Sequence, residues 1–135
     1  MHSRLNLFFL AFAFATLALS PNAESANGTA EDAKKVELCQ RMASEIDAGL
    51  PKRIDAMTTL TAVRCNENTM IFDHAITGAT WSDIFANKEK LTPFVTSLIC
   101  DNEMRRKLTQ KNIINFSVIY RGADGGPVKF DVTCK

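Results

Sequence analysis

The sequence predicts an α+β fold, a four-stranded and mainly antiparallel sheet of two hairpins covered by helices, in the order α-β-β-α-α-β-β and disulfide-bonded. Three observations carry this reading. Apolar residues recur at three- and four-residue steps over 36–50 and again over 91–108, the period of a helix with one buried face. They alternate with polar residues over 69–77, 114–120 and 128–134, the period of half-buried strands. Four cysteines are shared between the helical and the extended segments, as in small exported domains stapled by disulfides.

The chain opens with a short basic start, Met1 to Arg4, and an apolar run over 5–19. This is the plan of a secretory signal peptide, with small residues Ala23, Ser25 and Ala26 as processing sites. A run of that length falls short of the roughly 20 apolar residues that cross a bilayer, so the reading is export with cleavage after Ala23 and no membrane insertion afterwards. The predicted organisation is a signal peptide at 1–23, a flexible arm at 24–31 and one α+β domain at 32–135. A cut after Ala23 removes Arg4, one of 16 basic side chains, and leaves the basic and acidic sets equal at 15. A balanced charge argues against nucleic acid as a partner, which calls for a clustered basic excess. The one dense basic group, Arg105, Arg106 and Lys107 beside Lys111, reads as the solvated face of a helix.

The first helix starts at Asp32, buries Val36, Cys39, Ala43, Ile46 and Leu50, and stops at Gly49 and Pro51. A first hairpin follows, with strands over 54–65 and 69–77 about the turn Asn66, Glu67, Asn68. Met70, Phe72, His74 and Ile76 share one face of its second strand, and Ile71, Asp73 and Ala75 the other. Trp81, Ile84 and Phe85 suggest a short helical turn. The next helix takes Thr92 as N-cap and Pro93 at its first position, and Asp101 caps a further segment through Met104 and Leu108. The closing hairpin turns at 121–127, where Gly122-Ala-Asp-Gly-Gly126 reads as a turn and not as a phosphate cradle, because it joins two strands and opens no helix.

Four cysteines allow three pairings. The preferred one joins Cys39 to Cys65 and Cys100 to Cys134, since each bond then ties a helix to a strand. No pair has C-x-x-C spacing and no close Cys/His cluster suggests zinc, so the cysteines read as a structural framework. No catalytic, cofactor-binding or metal-binding residue is assigned.

Gly49-Leu-Pro-Lys-Arg-Ile-Asp-Ala-Met-Thr-Thr-Leu60, Cys100-Asp-Asn-Glu-Met-Arg105 and Tyr120-Arg-Gly-Ala-Asp-Gly125 with Cys134 carry a resemblance. The stretch from about Asp47 to Cys134 resembles a family of small exported bacterial proteins named from a quorum-sensing-regulated virulence factor of pseudomonads. The resemblance implies an α+β fold and a Cys100–Cys134 bond, and supplies no enzymatic activity. The sequence departs from the family pattern around Phe72 and His74, at Asn102 and at Lys111 or Asn112, and Cys39 and Cys65 are additions to it.

Three functions are weighed. The leading one is a non-enzymatic, virulence-associated exported protein, periplasmic or released to the medium, that binds a protein or cell-envelope partner. The second is a small hydrolase using His74 with a carboxylate brought near by folding, Asp55 or Asp131. The third is a pilotin-like accessory of a secretion system, against whose usual anchored form stands the lack of a lipid-acceptor cysteine after the apolar run. Asp73 beside His74 is discounted as an acid/base pair because neighbours on a strand face opposite ways. Asp55 with Thr58 and Thr59 reads as local turn bonding, Trp81 as a core-edge filler or a partner anchor, and the sequons at Asn27 and Asn115 as unused.

Overall fold

The structure, a computed structural model, describes residues 29–135. The expected signal peptide, its cleavage site and most of the expected arm lie outside the described residues. Residues 35–135 form a compact unit. All of the sheet and most of the helical residues among those described belong to it.

Helix α1 runs Ala30–Asp47, two residues longer at its start than expected. Thr29 Oγ1 accepts the Asp32 N–H at 3.0 Å, and the Asp32 carboxylate accepts the Thr29 N–H at 3.4 Å, a reciprocal cap that begins the helix early. Cys39 and Ala43 are buried, and Leu38, Met42 and Ile46 pack beside them against the core. At the other end the Asp47 carboxylate accepts the Val63 N–H at 3.0 Å, giving that strand donor a partner from outside the ladder.

The sheet has five strands in chain order, β1 Lys52–Arg53, β2 Thr58–Asn66, β3 Thr69–Ile76, β4 Asn115–Arg121 and β5 Pro127–Val132. Neighbours are antiparallel except β3 and β4, which run parallel with Phe72 opposite Val118. A parallel pair needs a long crossover, and helices α2 Trp81–Ala86, α3 Lys88–Cys100 and α4 Glu103–Gln110 supply it. The α+β class stands, with one strand and one helix more than the expected order. The extra strand arises because residues 54–57 turn instead of extending. Ile54 N–H bonds Thr58 O at 2.9 Å, Met57 N–H bonds Asp55 Oδ1 at 2.9 Å, and Arg53 Nη2 donates to Ala56 O at 3.0 Å. That turn folds Lys52 and Arg53 back onto Leu60 and Thr59. A register shift between Leu60 and Ala62 then keeps Leu60 and Val63, three residues apart, both buried.

Two expected caps are corrected. Thr92 lies inside α3, its hydroxyl donating back to Lys88 O at 2.8 Å, and Pro93 is an internal proline that leaves the Glu89 carbonyl without its helical donor. Asn87 closes α2 and opens α3 at once, so α3 begins five residues earlier than a cap at Thr92 would allow. Asp101 ends α3, and Asn102 is the cap of α4, its Oδ1 accepting Arg105 N–H at 3.0 Å.

The core lies between one sheet face and the helices. Met70 and Phe72 of β3, Phe116 and Val118 of β4, and Phe130 of β5 meet Val95 and Ile99 of α3, and all are 5% exposed or less. Two disulfides fasten these layers. Cys39 of α1 is joined to Cys65 of β2, and Cys100 at the end of α3 to Cys134, which sits two residues past β5 instead of within it. With sequence separations of 26 and 34, each is expected to contribute about 3 to 4 kcal/mol by restricting the unfolded chain.

Candidate functional site

His74 and Asp73 show how the sheet sorts chemistry between its faces. Asp73 points away from the helices and is 5% exposed. Arg121 grips it through two bonds, Nε to Oδ1 at 2.9 Å and Nη2 to Oδ2 at 3.1 Å, and Arg64 adds Nη1 to Oδ2 at 3.2 Å. The bidentate bond holds the Arg121 guanidinium above its usual pKa. Both arginines lie two residues along from the residues paired with Asp73, Ala62 and Ile119, a diagonal that strand alternation could have flagged. The sequence reading missed this network.

His74 points into the helix-side layer, 6% exposed, packed edge-on to Tyr120 at 5.3 Å. Its buried Nδ1 has no hydrogen-bond partner. Burial holds the imidazole below its usual 6.5, so it is neutral at pH 7. Neither carboxylate of the hydrolase alternative joins it. Asp131 lies on the opposite sheet face, where its Oδ1 accepts Ser117 Oγ at 2.7 Å. The Asp55 carboxylate is occupied by its own turn, whose Met57 N–H lowers its pKa, and among the described residues no hydrogen bond links it to His74.

Among the clefts lined by described residues, two lie on the helix side around Phe72, His74 and Tyr120. The first, about 420 Å³, is lined by Ile46, Leu50, Ile54, Leu60, Phe72, Leu98, Ile99 and Val118, with Lys52, His74 and Arg105 as its charged or titratable side chains. The second, about 350 Å³, is lined by Met57, Ile76, Ala79, Ile84, Leu91, Phe94 and Tyr120, with Asp55 and Asp83 as its acids. They share two walls, the 54–58 segment and helix α3, whose Leu91, Phe94 and Leu98 recur at helical spacing. Ile54, Met57 and Phe94 are 44%, 49% and 52% exposed, an apolar rim of the kind that marks binding surfaces. Burial, aided by the Asp55 charge, pushes the Tyr120 phenol up to about 12, so it stays protonated at any physiological pH.

Arg105 leaves the basic cluster in which the sequence placed it. Lys107 stays outside in an ion pair with Glu103 at 3.2 Å, whereas Arg105 lies half-buried over the Phe72 ring at 5.2 Å, with Nη1 donating to Leu98 O at 3.3 Å. Burial lowers its pKa. The inward turn follows from its place three residues before Leu108, the residue of this short helix that packs against the core, which the charge run in the sequence conceals.

The glycine loop after β4 is a turn held against α2. Ala123 N–H bonds Ala79 O at 2.6 Å, Asp124 Oδ1 accepts Trp81 N–H at 3.0 Å, and the Trp81 indole donates to Pro127 O at 2.9 Å. A Cβ on Gly122 would sit 2.6 Å from the Thr80 carbonyl carbon, so glycine is required there by close approach. Trp81, 38% exposed and stacked on Phe85 at 4.9 Å, is in the first place a clasp for this loop. Among the described residues no group of three or more His, Cys, Asp or Glu is placed to hold a metal ion, and no helix is long and apolar enough to cross a membrane.

A single sheet in chain order with one parallel crossover and helices on one side defines the fold class, and solved structures are similar to it in fold. No family model matches the chain, and no curated protein matches it. A candidate secreted protein of Pseudomonas aeruginosa is similar in fold, with a TM-score of 0.65 and 14% identity over 78% of this chain and 96% of that one. The type II secretion pilotin EpsS of Vibrio vulnificus is similar at 0.64 and 14% identity, covering 76% and 91% of the two chains. The pilotin AspS of Vibrio cholerae is similar at 0.59 and 16%, covering 76% and 92%.

Proposed function

We propose that this chain is an exported, pilotin-like accessory protein of a bacterial secretion system. On this reading it binds a helical segment of a protein partner along the two helix-side clefts. The observation that carries the reading is the shared wall. Leu91, Phe94 and Leu98 of α3 face the 54–58 segment across apolar floor, the geometry that receives one face of an amphipathic helix. The charges at the two ends differ, basic at Lys52 and Arg105 and acidic at Asp55 and Asp83, which would fix the direction of a bound helix. The fold likeness to two type II secretion pilotins supports this reading over the broader one of an exported binding protein with an unspecified partner. Export itself is supported by the apolar leader of the sequence and by two disulfides, which persist in oxidising compartments. The narrower likeness to the quorum-sensing-regulated family rests on short motifs and adds no partner.

The test is deletion of the chain in its native cell, with type II cargo measured in the medium. It is joined to photocrosslinking from Phe94 in the cleft and from Arg64 on the far sheet face. The expected result is loss of cargo on deletion and a crosslink from Phe94, absent from Arg64, to a component of the secretion system. Normal secretion in the deletion strain overturns the reading.

A further inference from the structure

We propose that the basic end of the first cleft binds a single-chain aliphatic carboxylate, with Arg105, His74 and Lys52 at the head group and the apolar walls around the chain. The site overlaps the cleft assigned above to a partner helix, and the inference does not rest on that reading: the two would compete for Lys52 and Arg105.

Three observations converge. Arg105 is a half-buried guanidinium with five donors, of which one, Nη1, has a partner among the described residues, the Leu98 carbonyl at 3.3 Å; it has no carboxylate within ion-pair distance there. An arginine drawn out of water is normally paired. His74, on the same wall, keeps a buried Nδ1 without a partner, a cost that a ligand would relieve. No Asp or Glu lines this cleft, whereas two line its neighbour. A forked guanidinium matches a carboxylate in shape and charge. The remaining wall decides what carries that carboxylate. Ile46, Leu50, Leu60, Leu98, Ile99 and Val118 supply contact but no side-chain hydrogen bonds. An extended peptide inserted that deep would bring backbone amide groups with nothing to pair them, and an alkyl chain brings none. The volume of about 420 Å³ lies within the range of small-ligand sites.

The experiment is an NMR titration of the full exported chain with decanoate, beside decanol and decyltrimethylammonium at the same chain length. Decanoate is expected to saturate below its micellar range and to shift His74, Phe72 and Leu98, with the other two amphiphiles at least about tenfold weaker. Arg105→Gln is expected to weaken decanoate by about tenfold or more, and Arg106→Gln, outside the cleft, to leave it unchanged. Should Arg105→Gln fail to fold, Leu98→Trp, which fills the cleft, is expected to abolish the saturable shifts. Equal binding of decanol, shifts that spread over the surface without saturating, or Arg105→Gln binding as the parent would each overturn the proposal. None of these bears on secretion by the deletion strain.

Discussion

Asp73 and His74 are adjacent on β3 and solve opposite problems. On the far face of the sheet a buried carboxylate has every strong partner it can use, two guanidinium groups and three hydrogen bonds. On the helix side a buried imidazole nitrogen and a half-buried guanidinium lack such partners. A satisfied charge holds strands together. An unsatisfied one is tolerated where something else completes it, and so the second face, not the first, is the place to look for function.

The comparison breaks most visibly if Asp73 is removed. Asp73→Ala removes three charge-assisted hydrogen bonds from two half-exposed arginines and is expected to cost about 2 kcal/mol, read from urea unfolding; a loss under about 0.5 kcal/mol would mean that the network is ornamental. His74→Phe goes the other way. Replacing an unpartnered buried nitrogen with carbon of the same shape is expected to raise stability by about 1 kcal/mol, and a clear loss would show that Nδ1 is bonded after all. The same variant sharpens the pH behaviour. The unfolded chain protonates His74 as pH falls below 6.5, while burial resists this in the folded chain, so this group's contribution is full above 6.5 and declines below it. The urea midpoint of the parent should fall between pH 6.5 and 5, and that of His74→Phe should fall less. The smallest effect is expected at Arg105. Arg105→Gln should leave stability within about 0.5 kcal/mol, since the guanidinium gains little from its surroundings, and a large loss would make it structural instead of ligand-directed.

The closing strand was the most readable because its apolar residues fall on one side of the pleat, with Val128, Phe130 and Val132 buried and Lys129 and Asp131 exposed. In β3 and β4 the alternation named the helix-side face, Met70 and Phe72, Phe116 and Val118, but Ile71, Asp73, Ser117 and Ile119 on the other face are buried as well. The helix boundaries were less readable. Asn87 and Asn102 cap where Thr92 and Asp101 were expected, because several polar residues in a row satisfy the same rule and tertiary contacts choose among them. The turn at residues 54–57 was hidden by its largely apolar composition, its strand-breaking bonds coming from the Arg53 and Asp55 side chains and from backbone. The site itself was hardly legible. Arg105 sits in a basic run whose members differ only in which way the helix turns them, and Lys52, which lines the same cleft, lies 53 residues earlier in sequence.

Each disulfide closes within its own half of the chain, Cys39–Cys65 before the β3–β4 crossover and Cys100–Cys134 after it begins. No covalent bond other than the crossover backbone spans the parallel seam, where the strand ladder and the Asp73–Arg121 pair do the joining. The molecule is therefore a natural split protein. A single protease nick near Gly78 should yield two fragments that separate on a denaturing gel without reductant, while a nick inside either disulfide loop should not. Because the first cleft takes Ile46 and His74 from one fragment and Leu98, Arg105 and Val118 from the other, mixing the separated halves and following the cleft's recovery would report their reassembly directly.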